Sequence, residues 1–151
     1  MGKTMRRVLM AWAAVSMVGG LAWGAAPAGR YVVNAETVLD TKTGLRWQRT
    51  VPGATYTWAN AQTYCQGLNL GGYTSGWRVP STKELQSLVD RRVSSPLPKI
   101  DETAFPSTPQ TVFWSSSQLA GGTSYAWWVA FNTGVSWYYA VTSSYRVRCV
   151  R

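Results

Sequence analysis

The sequence predicts an α+β fold in which two short helices pack on a twisted antiparallel sheet with long irregular loops. Three observations indicate this class. The end of the chain alternates its side chains with a period of two, as half-buried strands do. The middle places apolar residues at helical spacing behind residues suited to N-terminal capping. An early turn at Gly44 separates two short extended runs that suit a hairpin. Strands, then helices, then strands is an α+β order.

The beginning of the chain has the composition of a secretory signal peptide, which we place at residues 1–24. Three basic residues precede an apolar run over 8–21, and small side chains follow at the positions that a signal peptidase reads. The basic residues are Lys3, Arg6 and Arg7, and the small ones are Ala22 and Gly24. The alternative is an uncleaved anchor, but the run falls short of the roughly 20 residues that span a bilayer. We expect an exported protein, in the periplasm, at the cell surface or secreted, without a transmembrane span after signal removal.

The rest of the chain has the length of one domain and a basic charge. We expect a short linker over 25–36 and one domain over 37–151, long enough to bury a core. Of the 15 basic residues, 12 remain after signal removal against 6 acidic ones, so the mature net charge is +6. In an exported protein this excess favours acidic or sulfated polysaccharide, anionic lipid or an acidic protein surface over nucleic acid.

The two cysteines, Cys65 and Cys149, both lie in the predicted domain. An even number of cysteines in an exported protein indicates a disulfide, and two can pair in one way. The bond would close a separation of 84 residues. It would tie the first predicted helix to the last predicted strand.

Two helices are predicted in the middle of the chain. The first has Thr57 as its N-cap and runs to about residue 68. The second, of about nine residues, follows a capping box in which Ser81 and Glu84 each satisfy a backbone N–H group. Apolar residues recur at helical spacing on one face of each helix. These inward-facing residues are Trp58, Ala61, Cys65 and Leu68 in the first helix and Leu85, Leu88 and Val89 in the second.

Irregular segments and an early hairpin complete the expected core. The hairpin spans about 38–48, with Gly44 in its turn. Residues 94–111 are rich in proline and hold no long apolar run, which predicts an irregular connection anchored by Ile100 and Phe105. Large aromatic residues in apolar contexts are usually well buried. The tryptophans expected in the core are Trp47, Trp58, Trp77 and Trp114.

Three antiparallel strands rich in aromatic residues are predicted over 125–151. Gly134 is free to take positive φ in the first turn, and 142–144 form the second. Alternation groups Trp127, Trp137 and Tyr139 on one face and Trp128 and Tyr138 on the other.

One face of these strands is the predicted recognition surface. A domain of this size cannot easily bury both faces, so if Val129 and Phe131 face the core, the opposite face is exposed. Trp, Tyr and Ser on a rigid sheet give contact area at low entropic cost. The candidate ligand-binding residues are Trp128, Ser136 and Tyr138. The alternative, equally open, is that the long irregular loop covers this face.

Arg146 and Arg148 complete the candidate ligand-binding set. They share one side of the last strand, opposite Cys149. Two guanidinium groups at this spacing can hold sulfate, carboxylate or phosphate through forked hydrogen bonds. The alternative is pairing with a carboxylate on a neighbouring strand, or plain solvation.

The residue types that most enzyme chemistry needs are scarce. The chain has no histidine, which excludes Ser-His-Asp and Cys-His catalysis and disfavours a zinc site. Among the 6 acidic residues only Asp101 and Glu102 are adjacent, and a calcium site there would need further converging oxygens. We therefore expect no catalytic residue, no metal and no cofactor.

Short motifs along the predicted domain occur in the same order in a known bacterial family. They are Gly44–Gln48, Tyr64-Cys65, Gly76–Pro80, Glu84-Leu85, Ile100-Asp101, Phe105-Pro106, Trp114–Ser116, Ala126-Trp127, Val129, Phe131, Gly134 and Tyr145–Arg151. By these motifs the sequence resembles, over about 37–151, the family named after the C-terminal domain of the Legionella collagen-like adhesin. The resemblance implies a C-type-lectin-like fold with a disulfide between the first helix and the last strand. Cys65 and Cys149 fit that pattern.

The resemblance also implies a class of function. In the adhesin the domain follows a collagen-like repeat and is associated with binding sulfated polysaccharides and host surfaces. This chain has no Gly-X-Y repeat, and it lacks the Glu-Pro-Asn, Gln-Pro-Asp and Trp-Asn-Asp triplets of calcium-dependent lectins. We expect an exported, non-enzymatic binding module for anionic or glycosaminoglycan-like polysaccharide, or for an envelope or host surface protein. The alternative is a structural or protein-interaction module of the cell envelope.

Overall fold

The computed structural model describes residues 26–94 and 98–151, so the predicted signal peptide at 1–24 lies outside the described residues. The described part has two helices and antiparallel strands, which confirms the α+β class. In chain order the elements are β1 (Tyr31–Val33), β2 (Thr37–Asp40), β3 (Arg46–Gln48), α1 (Trp58–Gln66), α2 (Thr82–Ser87), β4 (Val112–Gln118), β5 (Tyr125–Ala130) and β6 (Ser136–Ala140). In this part of the chain no helix combines the length and the apolar character needed to cross a membrane.

The strands form two small sheets, not the one sheet that the sequence predicts. The first has the order β1-β2-β3 and the second the order β4-β5-β6, and every pair is antiparallel. The early hairpin is confirmed, with Gly44 at a φ of 73° in its turn. Strand β1 lies in the segment that the sequence assigns to a linker. Its three residues are too few to show an alternating pattern, and Val32 and Val33 are exposed.

The terminal segment 145–151 is not the third strand of the aromatic ribbon, and that prediction is wrong. It leaves β6 and crosses the domain, with single bridges from Arg146 to Phe113 and from Val150 to Trp47. The segment therefore joins the second sheet to the first. Residues 147–150 of this segment are buried, so odd and even side chains are both enclosed there.

The helix starts follow the sequence closely. Thr57 caps α1, and both hydrogen bonds of the Ser81–Glu84 capping box are present at α2. Helix α2 is shorter than the predicted nine residues. It ends because the Asp90 N–H donates to Lys99 O rather than back into the helix, at 2.9 Å.

Two core clusters lie on opposite faces of the second sheet. Phe113 belongs to one and its neighbour Trp114 to the other, and successive strand residues point to opposite faces. The α2 side of the core contains Leu85, Leu88, Ile100, Phe105, Phe113, Val129 and Phe131. The α1 side contains Ala61, Cys65, Trp77, Val79, Trp114, Ala126, Val147 and Cys149. The centre of β4 and the end of β5 are thus buried, whereas the residues of β6 are half-buried or exposed.

Most side chains expected in the core are there. Trp47, Trp77 and Trp114 are buried, as predicted. Trp58 is half-buried and donates its indole N–H to Ser115 O at 2.8 Å. All four of these tryptophans therefore pack within the domain, although the indole of Trp58 is partly exposed at the domain surface.

A disulfide joins Cys65 of α1 to Cys149 of the terminal segment and confirms the predicted pairing. The two Cα atoms are 5.5 Å apart, and both side chains are fully buried. The bond holds α1 against the segment that connects the two sheets.

Candidate functional site

The pairing of β5 with β6 determines which aromatic side chains share a face. Trp127 lies opposite Tyr138, and Trp128 lies opposite Trp137. Residues directly opposite each other in an antiparallel pair share a face, so the predicted grouping of Trp127 with Trp137 is wrong. The turn over 131–134 holds an even number of residues. Odd-numbered residues of β5 therefore lie opposite even-numbered residues of β6, and their side chains share one face of the sheet.

Trp128, a predicted ligand-binding residue, is half-buried. Its ring packs against the α1 side of the core, and its indole nitrogen is buried without a hydrogen-bond partner among the described residues. Trp137, directly opposite, is instead 55% exposed. Trp128 therefore offers little surface to a ligand and supports the strand pair from the core side.

Five aromatic residues form the outer part of the β5–β6 pair, and we call them the aromatic edge: Tyr125, Trp127, Trp137, Tyr138 and Tyr139. Tyr138 is at its centre. Its ring lies 5.5 Å from that of Trp127 and 6.0 Å from that of Tyr125, both edge-on, and it stacks on Trp137 at 5.1 Å. Such contacts restrain the rings, so the aromatic edge is a rigid surface.

The irregular loop leaves much of the aromatic edge uncovered. Ile100 and Phe105 anchor the loop, as predicted, in the cluster that contains Phe131. The alternative in which this loop covers the face of Trp128 and Tyr138 stays a prediction, because both residues are half-buried. Trp137 and Tyr139 remain 55% and 53% exposed.

A groove of about 440 Å³ lies beside the aromatic edge, between the start of α2 and the second sheet. Its lining residues are Ser81, Thr82, Lys83, Ser117, Trp127 and Ser136. The volume falls within the range of roughly 300–1,000 Å³ that is usual for small-ligand sites. Ser136 is the predicted site residue that lines it.

Hydroxyl groups hold the wall of the groove in place. The Ser115 hydroxyl donates to Trp127 O at 2.7 Å and lies 2.9 Å from the Thr82 hydroxyl. The Thr82 N–H donates to the Ser117 hydroxyl oxygen at 3.2 Å. These bonds join β4, β5 and the start of α2, so the two sides of the groove form one hydrogen-bonded unit.

Two polar groups on the groove have no partner within the described chain. The Lys83 ammonium and the Ser136 hydroxyl make no side-chain hydrogen bond or ion pair in residues 26–94 and 98–151. Both are available to a ligand lying against Trp127. Sequence reasoning missed Lys83 and Trp127, because no local pattern indicates that α2 and β5 face each other here.

The opposite side of α2 carries an ion pair that fixes the capping box. The Arg78 guanidinium donates to both oxygens of Glu84, at 2.9 and 2.6 Å. This hydrogen bonding, together with the bond from the Ser81 N–H, lowers the pKa of Glu84 to about 2 against the partial burial that opposes it. Glu84 is therefore ionised at neutral pH and is used in the cap rather than in the groove.

Arg148 lies in the interior, and its predicted exposure is wrong. The side chain is 0% exposed, with its guanidinium 4.7 Å from the ring centre of Phe105. It donates to Gln48 O, Arg49 O and the Thr108 hydroxyl at 2.7–2.8 Å. Burial lowers the pKa of Arg148 to about 9, so the group stays charged at neutral pH. The end of β3 and the irregular loop enclose it, and it cannot contact a surface ligand.

Arg146 is half-buried on the same side of the terminal segment. It donates to Pro52 O at 3.0 Å and to Ala54 O at 3.3 Å. Together with Arg148 it fastens the chain after β3 to the terminal segment. The two arginines do share one side, as predicted, but their contacts are backbone carbonyls.

Asp101 and Glu102, the weak calcium alternative, do not converge on a common point. One oxygen of Asp101 accepts from the N–H groups of Thr103 and Ala104, and the other accepts from the Ala26 N–H at 2.8 Å. Glu102 is exposed. In residues 26–94 and 98–151 no three His, Cys, Asp or Glu side chains lie close enough together to hold a metal ion.

Comparison with known protein families identifies the family of this chain. No curated protein matches this sequence. A family model described as the Lcl C-terminal domain matches residues 36–151, which cover both sheets except β1, both helices, the disulfide and the groove. The resemblance seen in the sequence motifs is therefore confirmed, and the chain belongs to the Lcl C-terminal domain family.

Proposed function

We propose that this protein is an exported, non-enzymatic binding module whose ligand is an anionic or sulfated polysaccharide. The observation that carries the proposal is the groove beside the aromatic edge. Trp127 offers it an apolar ring, Ser136 a free hydroxyl and Lys83 a free ammonium. A sugar residue has one face of C–H groups and a rim of hydroxyls or acidic groups, which this combination matches.

Physical chemistry supports each part of the match. An aromatic ring held in place by neighbours gains dispersion contact with a flat sugar face at little entropic cost. The Lys83 ammonium adds attraction to a sulfate or carboxylate, and an excess of basic residues draws polyanions to the domain. The hydrogen bonds that join Thr82, Ser115 and Ser117 keep the groove formed before a ligand arrives, which lowers the cost of binding.

The proposal includes a C-type-lectin-like architecture and export from the cytoplasm. Support for the first is the disulfide between the first helix and the terminal segment, Cys65 to Cys149. Support for the second is the same disulfide, since such bonds persist in oxidising compartments, and the signal-like composition of residues 1–24. Edman sequencing or mass spectrometry of protein from the periplasm and medium checks the export step.

Retention on immobilised heparin, beside a glycan array read at two salt concentrations, tests the proposed ligand. Lys83→Gln removes the ammonium, and Ser136→Trp fills the groove without removing packing from the core. Both should elute at lower salt than the parent protein. Lys42→Gln is the matched control, because Lys42 is an exposed lysine of the β2–β3 turn and does not line the groove. Equal elution of all four proteins would reject the groove as the ligand site.

A second candidate, a protein-interaction module, is favoured by strand β6. The Ala130 N–H donates to Val135 O, and the Val141 N–H to Ser124 O. Hydrogen-bonding direction alternates along an antiparallel pair, so the backbone groups of Ser136 and Tyr138 and the Ala140 N–H point away from β5, while Ala140 O accepts from Ser143 N–H. An open strand edge can add a strand from a partner. One stoichiometric envelope protein recovered by cross-linking, with no glycan bound on the array, would favour this function.

A further inference from the structure

Arg46 and Arg151 lie directly opposite each other where the terminal segment meets β3. The Arg46 N–H donates to Arg151 O at 2.9 Å, and the Arg151 N–H donates to Arg46 O at 2.8 Å. Two residues that exchange both backbone hydrogen bonds form a directly opposed pair whose side chains leave the same face. The side chains of Arg46 and Arg151 therefore leave the same face from neighbouring backbone positions.

Like charges in this arrangement repel each other, and no side-chain carboxylate among the described residues forms an ion pair with either guanidinium. Cross-strand pairs of like charge are destabilising. Three ion pairs occur in residues 26–94 and 98–151, and none includes Arg46 or Arg151. The neighbouring Arg78, which bonds Val150 of the same segment, is by contrast paired with Glu84. The opposed arginines therefore lack the carboxylate partner that Arg78 has.

The opposed arginines are nevertheless held in fixed positions. Both guanidiniums lie over the ring of Tyr73, at 5.0 Å for Arg46 and 4.1 Å for Arg151, so they are at most about 9 Å apart. Arg46 donates to the Thr37 hydroxyl at 3.2 Å, and Arg151 donates through Nε to Ser75 O at 3.2 Å. Each guanidinium has five N–H groups. Most of them remain available on each side chain within the described contacts.

Gly76 leaves room for this arrangement. Its φ is 82°, and a Cβ at this position would come within 3.3 Å of Arg151 Nε. The loop after α1 therefore combines an aromatic ring, a backbone carbonyl and a glycine to position one of two unneutralised cations. The guanidinium groups are thus held in position before an anion binds, whereas a freely solvated arginine side chain would be mobile.

We propose that Arg46 and Arg151, positioned by Tyr73, bind a tetrahedral oxyanion group of the sulfate or phosphate class. N–H···O bonds of about 2.7–2.9 Å from two guanidiniums can hold one such group between them. The ligand supplies the negatively charged partner that no described side chain gives to these two arginines. The inference rests on the proposed function only for the source of the anion, which on a sulfated polysaccharide is a sulfate monoester. The site itself is separate from the groove residues.

Titration of the purified protein with sodium sulfate, and separately with sodium phosphate, at constant ionic strength tests the site. The arginine Nε–H signals in NMR spectra should shift with a saturable dependence for Arg46 and Arg151. Arg46→Gln and Arg151→Gln should each weaken the apparent sulfate affinity by about tenfold or more, since each removes one of two charged donors. Arg91→Gln is the matched control, because Arg91 is exposed and is distant in the chain from both Arg46 and Arg151.

Thermal unfolding separates a binding role from a structural one. Sulfate should raise the melting temperature of the parent and of Arg91→Gln more than that of either site variant, because a ligand stabilises only the state that binds it. Without sulfate, the site variants should melt at or above the parent temperature, since repulsion is relieved. A variant that melts lower and keeps the full sulfate response would overturn the inference. So would an unsaturable shift that is equal in all proteins.

The two proposals fail in different ways. Ser136→Trp, which fills the groove, should leave the sulfate response unchanged. If heparin retention depends on the groove but sulfate affinity is the same with and without Arg46 and Arg151, the anion site is rejected and the proposed function stands. If sulfate binding depends on both arginines while no polysaccharide is retained, the proposed function is rejected and the site stands. A response to phosphate but not to sulfate would identify a phosphate group as the ligand chemistry.

Discussion

Trp127 and Tyr138 lie directly opposite each other on β5 and β6, with ring centres 5.5 Å apart and planes at 75°. The edge of one ring meets the face of the other, which is a favoured geometry for aromatic pairs. Trp127 also lines the groove. Tyr138 therefore restrains the ring that we propose to contact a sugar, although it is not itself among the groove residues.

The contact predicts a graded effect of substitutions at Tyr138. Tyr138→Phe keeps the ring and should leave ligand affinity unchanged. Tyr138→Ala removes an aromatic contact of about 0.5–1.5 kcal/mol and should weaken binding by roughly 2- to 10-fold, because Trp127 is then free to move. Isothermal titration with a heparin oligosaccharide measures both. Equal loss in the two variants would instead assign the role to the Tyr138 hydroxyl.

The disulfide should contribute strongly to stability. It joins residues 84 apart, for which chain entropy gives about 4–5 kcal/mol as an upper figure. We expect the double variant Cys65→Ala and Cys149→Ala to lose about 3–5 kcal/mol of unfolding free energy, measured by urea denaturation. Reduction of the parent protein should give a similar loss. A loss below about 1 kcal/mol would mean that α1 stays docked without the bond.

Local signals explain what the sequence predicts well. Thr57, Ser81 and Glu84 act within one helical turn, so their capping roles need no knowledge of the rest of the fold. Gly44 adopts the positive φ that a tight turn requires. The disulfide follows from there being two cysteines. The alternation of the terminal segment is also right, since Val147 and Cys149 face the α1 side of the core.

The errors concern relationships between distant segments. Alternation assigns Arg148 to one side of a strand, but it cannot tell that a neighbouring segment encloses that side too. The register of β5 and β6 depends on how many residues the turn uses, and it places Ser136 and Tyr138 on the face of Trp127 instead of the face of Trp128. The groove and the opposed arginines each join segments that are separated in the chain. No window of sequence contains Lys83 with Trp127, or Arg46 with Arg151.

Glu84 should make stability depend on acid pH. Its pKa in the folded protein is about 2, below the ordinary 4.5, because Arg78 and the helix cap favour the ionised form. A carboxyl with a lowered folded pKa stabilises fully above its unfolded pKa, and this contribution is lost as pH falls from about 4.5 to 2. Glu84→Gln should therefore cost about 1–2 kcal/mol at pH 7, discounted for partial solvent screening.

The pH dependence of that difference is the decisive measurement. The gap in unfolding free energy between the parent and Glu84→Gln should shrink towards zero as the pH is lowered from 5 to 2. Glu102→Gln is the control, because Glu102 is exposed and its substitution removes the same charge as Glu84→Gln does. A gap that stays constant over this range would show that the charge of Glu84 is not what stabilises α2.

Arg148 should be a structural residue rather than a binding one. Arg148→Met keeps much of the volume but leaves Gln48 O, Arg49 O and the Thr108 hydroxyl without a donor. Buried acceptors left unpaired cost about 1–3 kcal/mol each, so we expect a loss of at least about 2 kcal/mol in urea denaturation. Arg146→Gln, at a half-buried site, should cost about 1 kcal/mol or less. Equal stability of Arg148→Met and the parent would contradict the buried network.

The open edge of β6 should make the protein prone to self-association. Its sequence, Ser136 to Ala140, contains no charge or proline, and natural proteins use both to protect strand edges. Tyr139→Lys places a charge beside this edge at an exposed position, so the unfolding free energy should change by no more than about 0.5 kcal/mol. Light scattering at high protein concentration should show less association. Thr123→Lys adds the same charge in an exposed loop. An equal reduction in that control would attribute the effect to net charge and not to the edge of β6.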